Sequence, residues 1–185
     1  GYSRTNRPVG NSGLDVDRWA WNRKRKAWRK PMHIVTPSRW LAECARRSVL
    51  MCDWPISVIP YALNTQVYQP HSKSFARKAL AFPEDKKLIA FGAIGGGRDP
   101  RKGFDMLLTA VRQVSEGNTN IACVIFGQSE PRNIPDIGVP IYWTGHLNDD
   151  ISLALLYSAV DVMVVPSRQD NLPQTGIEAQ MCGCP

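Results

Sequence analysis

Apolar residues along the chain follow two rhythms that alternate. Short, nearly continuous apolar runs occur at 33–37, 57–60, 88–92, 120–127, 139–143 and 161–165. Runs of this length bounded by turn residues predict buried strands. Between them the spacing changes. Phe104, Leu107, Leu108, Val111 and Val114 recur at i, i+3 and i+4, which predicts a helix with those five on its core face. Residues 150–160 predict a mostly apolar helix, 74–81 a polar one, and the tail from Pro173 another. Nearer the start, 15–30 predicts a helix with Trp21 and Trp28 on one face and Lys and Arg on the other. Ser38 is an N-cap for the next helix, whose inner face is expected to carry Leu41, Cys44, Ala45 and Ser48.

Strand, helix, strand with near-continuous apolar strands is the pattern of a parallel sheet covered on both faces. The fold class is therefore α/β. Sheets of this kind bind ligands outside the carboxyl ends of their strands, here the loops after Phe91, Phe126, Trp143 and Val165. Residues 61–74, with Pro70 and Asn64 and no periodicity, suit a linker.

Charge changes the picture at one end only. The net charge of the 185 residues is +7. Residues 1–50 hold twelve Lys and Arg against three acids, a balance of +9, so the remainder sums to −2. No apolar run approaches the roughly 20 residues that span a bilayer, and no export signal opens the chain; a cytoplasmic location is expected. The five cysteines form neither a CxxC pair nor a Cys/His zinc spacing. Cys44 and Cys123 read as small core residues and Cys182 and Cys184 as reduced structural thiols, with no disulfide framework and no metal site expected. His33, His71 and His146 lack the partners of nucleophilic or metal chemistry and read as structural or turn residues.

The most specific chemistry lies near the end. An apolar run reaches Pro166 and Ser167; Asp170 and Glu178 then flank seven residues, with Asn171, Leu172, Pro173, Gln174 and Thr175 after the first acid. A carboxylate accepts from two vicinal hydroxyls at once, and free N–H groups at a helix start favour phosphate. The bland alternative is a solvated loop acid and a helix-capping acid. The whole stretch resembles the acid-x7-acid motif of retaining GT-B glycosyltransferases of group 1 (family 4). Its Asn-Leu-Pro-Gln-Thr run is similar to a variant found among enzymes building bacterial surface polysaccharides.

That resemblance covers roughly residues 15–185 and implies a Rossmann-like parallel sheet, incomplete here. It implies that Glu178 binds the ribose of a nucleotide-sugar donor and Asp170 the donor sugar, with Asn171 and Leu172 beside them; the usual first acid is Glu, one methylene longer than Asp170. The loop from Gly92 to Gly103 is similar to the family's glycine-then-basic loop, with Lys102 matching the lysine that meets the diphosphate. Ala93 replaces the usual arginine, and Arg98 or Arg101 supplies that charge, Arg101 adjoining Lys102. Gly145 matches the family's turn glycine near the base. The family needs no obligatory metal and no cofactor beyond the donor substrate.

The resemblance places the end of an acceptor-binding domain at 1–62 and a truncated donor-binding domain at 63–185. The activity it implies is transfer of a hexose, with retention, to a saccharide or lipid-linked acceptor in surface polysaccharide synthesis, the fragment alone being inactive. The basic start, with Trp19, Trp21 and Trp28, has three readings: a helix packing on its own core, peripheral membrane contact at the inner face, or nucleic-acid binding, the last not expected. The rivals are a non-catalytic basic membrane- or nucleic-acid-binding module on the same fold, and a phosphorylase-like enzyme, for whose lysine-linked cofactor the sequence has no site.

Overall fold

The apolar runs form parallel strands in two separate sheets. The computed structural model describes residues 13–92, 99–131 and 136–185; Arg98 and Ala93 lie outside them. The chain divides into two units, residues 1–61 and 62–185.

In the first unit, helix α1 (Val16–Ala27) starts at Asp15, whose side chain accepts from the Arg18 N–H. Strands β1 (Ile34–Thr36) and β2 (Ile56–Val58) pair in parallel, Ile34 opposite Ile56. Helix α2 (Arg39–Arg46) connects them, and Ser38 caps it by accepting from the Leu41 N–H. Its inner face corrects the sequence expectation: Ala42 and Ala45 are buried, whereas Cys44 is exposed. At about 100° per residue, Cys44 points nearly opposite to Ala42 once Ala42 and Ala45 face inward. Helix α1 has no fully buried residue. Trp28 packs its ring 5.8 Å from Trp54, while Trp19 remains 62% exposed.

The second unit carries a four-stranded sheet in the order β5-β4-β3-β6, built from β3 (Lys87–Gly92), β4 (Ile121–Phe126), β5 (Ile141–Gly145) and β6 (Val162–Met163). All its ladders are parallel. Every residue of β4 is buried, and alternation divides them between two cores. Ala122, Val124 and Phe126 join Leu88 and Ala90 on one face; Cys123 and Ile125 join Phe91 on the other. Helices α3 (Lys73–Ala79), α5 (Asp150–Ala159) and α6 (Gln174–Met181) add to the first core. Helix α4 (Phe104–Ser115) covers the second through Leu107 and Val111. Fully burying a side chain such as Ile125 contributes roughly 1.5–3 kcal/mol. Val114, expected on the same face of α4, is instead 53% exposed.

Two further positions differ from the pattern reading. Tyr68, in the stretch expected to be a linker, is buried, and its hydroxyl donates to Asp150 at 3.0 Å. Asp161, expected only to begin a strand, anchors a buried arginine. Arg77, 4% exposed, donates to the carbonyls of Ala159, Pro83, Glu84 and Lys86 and to Asp161 at 2.7 Å. The same carboxylate accepts from the Leu88 N–H. Burying the charge is tolerated because every acceptor it needs is in place. Among the described residues, no helix is long and apolar enough to cross a membrane. Among the same described residues, no group of three or more His, Cys, Asp or Glu is placed to hold a metal ion.

Candidate functional site

The carboxyl ends of β3, β4 and β5 and the start of α6 enclose a cavity of about 280 Å³. Gly92 and Phe126 form one wall, and Tyr157 and Glu178 another; His146, Asn148, Gln174 and Thr175 edge it. Gly92 owes its place to close approach, because a Cβ there would fall inside the Phe126 ring. Phe126 stands edge-on to Tyr157 at 5.8 Å and 79°, and Tyr157 donates to Oε2 of Glu178 at 2.7 Å. Glu178 is only 6% exposed. Burial pushes its carboxyl above the ordinary glutamate value, against the hydrogen bonds from Tyr157 and Gln174 that pull it down, and the charge of Asp150 adds to the rise.

A second constellation forms where the loop before α4 meets the loop after β6. A short 3-10 turn (Pro100–Lys102) is capped by Asp99 and ends at Gly103, φ +69°. Only glycine fits there, since φ is left-handed and a Cβ would also collide with the Pro166 carbonyl. That contact brings the turn under the β6 loop. Lys102 Nζ lies 2.7 Å from Asp170 Oδ2. Ser167 and the Asn171 N–H also donate to the Asp170 carboxylate. Burial would raise the Asp170 carboxyl, but the Lys102 ammonium and these donors outweigh it and hold it below the usual range. Arg168 staples the two loops together: it forks Asp105 at 2.6 and 2.7 Å and donates to the Pro100 carbonyl. Hydrogen bonding to Arg168 pulls Asp105 down to about 2.

Of the residues singled out from sequence, Lys102, Asp170 and Asn171 meet in this second constellation. Gly92 and Glu178 meet in the cavity. The described lining of the cavity does not include Lys102 or Asp170. Gly145 ends β5 at φ +68°, and its carbonyl accepts from the Gly127 N–H; Leu172 is half-buried just before α6. Arg101, 69% exposed, forks Asp99 and pulls that carboxyl to about 2, and its guanidinium also feels the charge of Asp170. Its neighbour Arg98 lies outside the described residues.

The pattern of the sequence does not single out Tyr157, and it gives Gln174 and Thr175, within the run between the two acids, no role of their own. One signal was available for Tyr157. It is the sole hydroxylated ring in the apolar run 150–160, and a buried tyrosine hydroxyl seeks a partner.

Comparison with known proteins bears on this geometry. Residues 85–185 match the family described as Glycosyl transferases group 1. Over 142 residues the chain is 26% identical to a D-inositol 3-phosphate glycosyltransferase of Segniliparus rotundus, a match covering 70% of this chain and 30% of that protein. It thus spans about a third of the length of the curated relatives it matches. Among solved structures, sucrose-phosphate synthase from Thermosynechococcus elongatus superposes with a TM-score of 0.71 at 24% identity, over 92% of this chain and 43% of that one. HepE of Anabaena, solved in complex with UDP and glucose, superposes with a TM-score of 0.61 at 13% identity, over 92% of this chain and 49% of that one. At these identities the solved structures establish the fold: a Rossmann-like part of the GT-B architecture.

Proposed function

The chain belongs to the group 1 glycosyl transferases, and we propose that it supplies the donor side of a retaining sugar transfer. The donor is a nucleoside diphosphate hexose; the acceptor is a saccharide or lipid-linked saccharide of a bacterial surface polysaccharide. One observation carries this reading: a carboxylate, Glu178, is buried in the wall of a cavity at the strand ends, where parallel sheets place their ligands. A buried acid held there by two hydrogen bonds suits acceptance from the paired hydroxyls of a ribose. Gly92 and Gly145 border the nucleotide, the first under Phe126 and the second at the turn beside His146.

Lys102 is the cation for the diphosphate, on which negative charge grows as it departs; a placed cation stabilises that charge. Asp170, with Asn171 and Leu172, meets the donor sugar, and Gly103 sets the turn that presents Lys102. Arg101, forked on Asp99, is the adjacent reserve of positive charge. The reading gives the neutralising role to Lys102 and needs no metal or cofactor. Residues 1–62 belong to the acceptor-binding side and 63–185 to the donor-binding side. This chain alone is expected to bind nucleotide without turning over.

The test is a thermal-shift series with UDP, GDP, ADP, CMP and duplex DNA. Selective stabilisation by one nucleoside diphosphate is expected. Stabilisation by DNA alone would point to the non-catalytic basic module and end the transferase reading.

A second element rests on α1. Arg23 lies over the Trp19 ring at 5.6 Å, Arg25 over Trp21 at 5.0 Å and Lys24 over Trp28 at 5.5 Å. Trp19, Arg23 and Lys26 share one exposed face. Cations and a bare indole side by side suit the headgroup layer of an anionic bilayer, which supports a reading in which the protein works at the cytoplasmic membrane face. Co-sedimentation with phosphatidylglycerol vesicles, abolished by high salt and absent with phosphatidylcholine, is the expected result.

A further inference from the structure

Tyr157 lies on α5, where it lines the cavity wall beside Glu178, and it is fully buried. Its ring and its hydroxyl have separate partners. The ring packs edge-on against Phe126, whose own position is set by the missing side chain of Gly92. The hydroxyl donates to one oxygen of Glu178 at 2.7 Å. Gly92 on β3, Phe126 on β4, Tyr157 on α5 and Glu178 on α6 therefore form one unbroken packed series. A buried carboxylate without a fixed neighbour turns about its last side-chain bond, because that torsion is broad and two-fold. A short hydrogen bond from a rigid phenol removes this freedom at one oxygen. A carboxylate accepts at about four lone-pair positions, so Tyr157 and Gln174 leave capacity for a ligand.

We propose that Tyr157 is a positioning residue for Glu178: its hydroxyl fixes the plane of the carboxylate so that the vicinal hydroxyls of the nucleotide ribose meet it already aligned. The proposal rests on the donor-site reading above. The charged and titratable groups that bear on Glu178 are Asp150 on α5, Tyr68 before α3, Cys182 beyond α6 and His146 across the cavity. Asp150 disfavours a second negative charge, and Tyr68 is engaged with Asp150. Tyr157 is the buried phenol that donates directly to the acid. It lowers the Glu178 carboxyl against the rise that burial causes. Removing the hydroxyl moves the protonation of Glu178 to higher pH, and ribose binding fails at correspondingly higher pH.

The test is calorimetric titration of the full chain with UDP, GDP and ADP from pH 5 to 8, in the wild type, Y157F and Y68F. The nucleotide that binds the wild type is expected to bind Y157F about tenfold more weakly, with the acidic limb of its affinity profile displaced to higher pH. Y68F loses a partly buried phenol contact, to Asp150, and is expected to keep that limb within a few tenths of a pH unit of wild type. Equal affinity and an unmoved limb in Y157F overturn the proposal while leaving the donor site standing. A wild type that binds none of the three nucleotides sinks the donor reading and the proposal together. If Y157F does not fold, the wild type decides. The Tyr157 hydroxyl proton should give a slowly exchanging downfield resonance that shifts when UDP, GDP or ADP binds and moves upfield in E178Q, and absence of that resonance overturns the assignment.

Discussion

Lys102 and Asp170 stand 68 positions apart in the chain, yet the lysine ammonium lies 2.7 Å from the aspartate carboxylate. The contact is made because β6 pairs with β3, so the loops that follow these two strands leave the sheet side by side. Gly103 lets one loop turn beneath Pro166 of the other, and Arg168 binds them through Asp105. The cation assigned to the diphosphate and the acid assigned to the sugar are thereby held at one point.

Replacing Lys102 with alanine is expected to weaken binding of the stabilising nucleoside diphosphate by about tenfold to a hundredfold, as loss of one charge-assisted contact does. Binding of the corresponding nucleoside, which has no phosphate, should not change. Stability should fall by no more than about 1 kcal/mol, because the lysine side chain is 34% exposed. Calorimetry with the two ligands separates these effects; equal losses for both would remove Lys102 from the phosphate site.

Glu178→Gln is expected to strengthen the fold and weaken the function. The carboxyl is raised by burial, so the stability it gives is full below the ordinary glutamate range and disappears as pH rises through the folded value. At pH 7 the charged form is a net cost, which glutamine removes while still accepting from Tyr157. A gain of ~1 kcal/mol corresponds to about 2–4 °C in Tm at this chain length. Nucleotide affinity should drop in the same protein. A thermal melt showing E178Q below wild type at pH 7 would contradict the argument.

Gly92→Ala drives a methyl group into the Phe126 ring and is expected to cost about 1–3 kcal/mol, the usual range for overpacking. Phe126→Leu makes room for it at a cost of its own. Because the two residues touch, the double variant should lose less than the single losses added together. Urea denaturation measures all three, and simple additivity would mean that the ring and the glycine do not constrain each other.

Arg77→Met leaves Asp161 and four carbonyls without their buried partner. Breaking a buried pair from one side costs about 3–5 kcal/mol, on the order of 10 °C in Tm. Burial opposes ionisation of Asp161, but the Leu88 N–H, Lys73 and Arg77 hold its carboxyl below the ordinary value. Its contribution is therefore complete above the ordinary aspartate range and is lost as pH falls through the folded value. Wild-type Tm should decline below about pH 4, and the decline should be shallower in Asp161→Asn; parallel curves would refute the linkage.

The sequence by itself determined the elements and their faces. The apolar runs of β3 and β4, the period of α4 and the cap at Ser38 are local facts, since neighbours two, three or four positions apart are fixed by backbone geometry alone. Local pattern also picked out the acids at 170 and 178 and the Lys-Gly pair at 102 and 103. It misplaced Cys44 and Val114 at the margins of their helical faces, where one residue of rotation decides between core and solvent. Only the tertiary structure decided who meets whom: Lys102 with Asp170, Tyr157 with Glu178, Tyr68 with Asp150, Arg77 with Asp161. Each of these pairs depends on strand order and on the crossing of elements distant in the chain. A buried charge or hydroxyl takes whatever partner that arrangement brings within hydrogen-bond reach, and no spacing along the sequence records it.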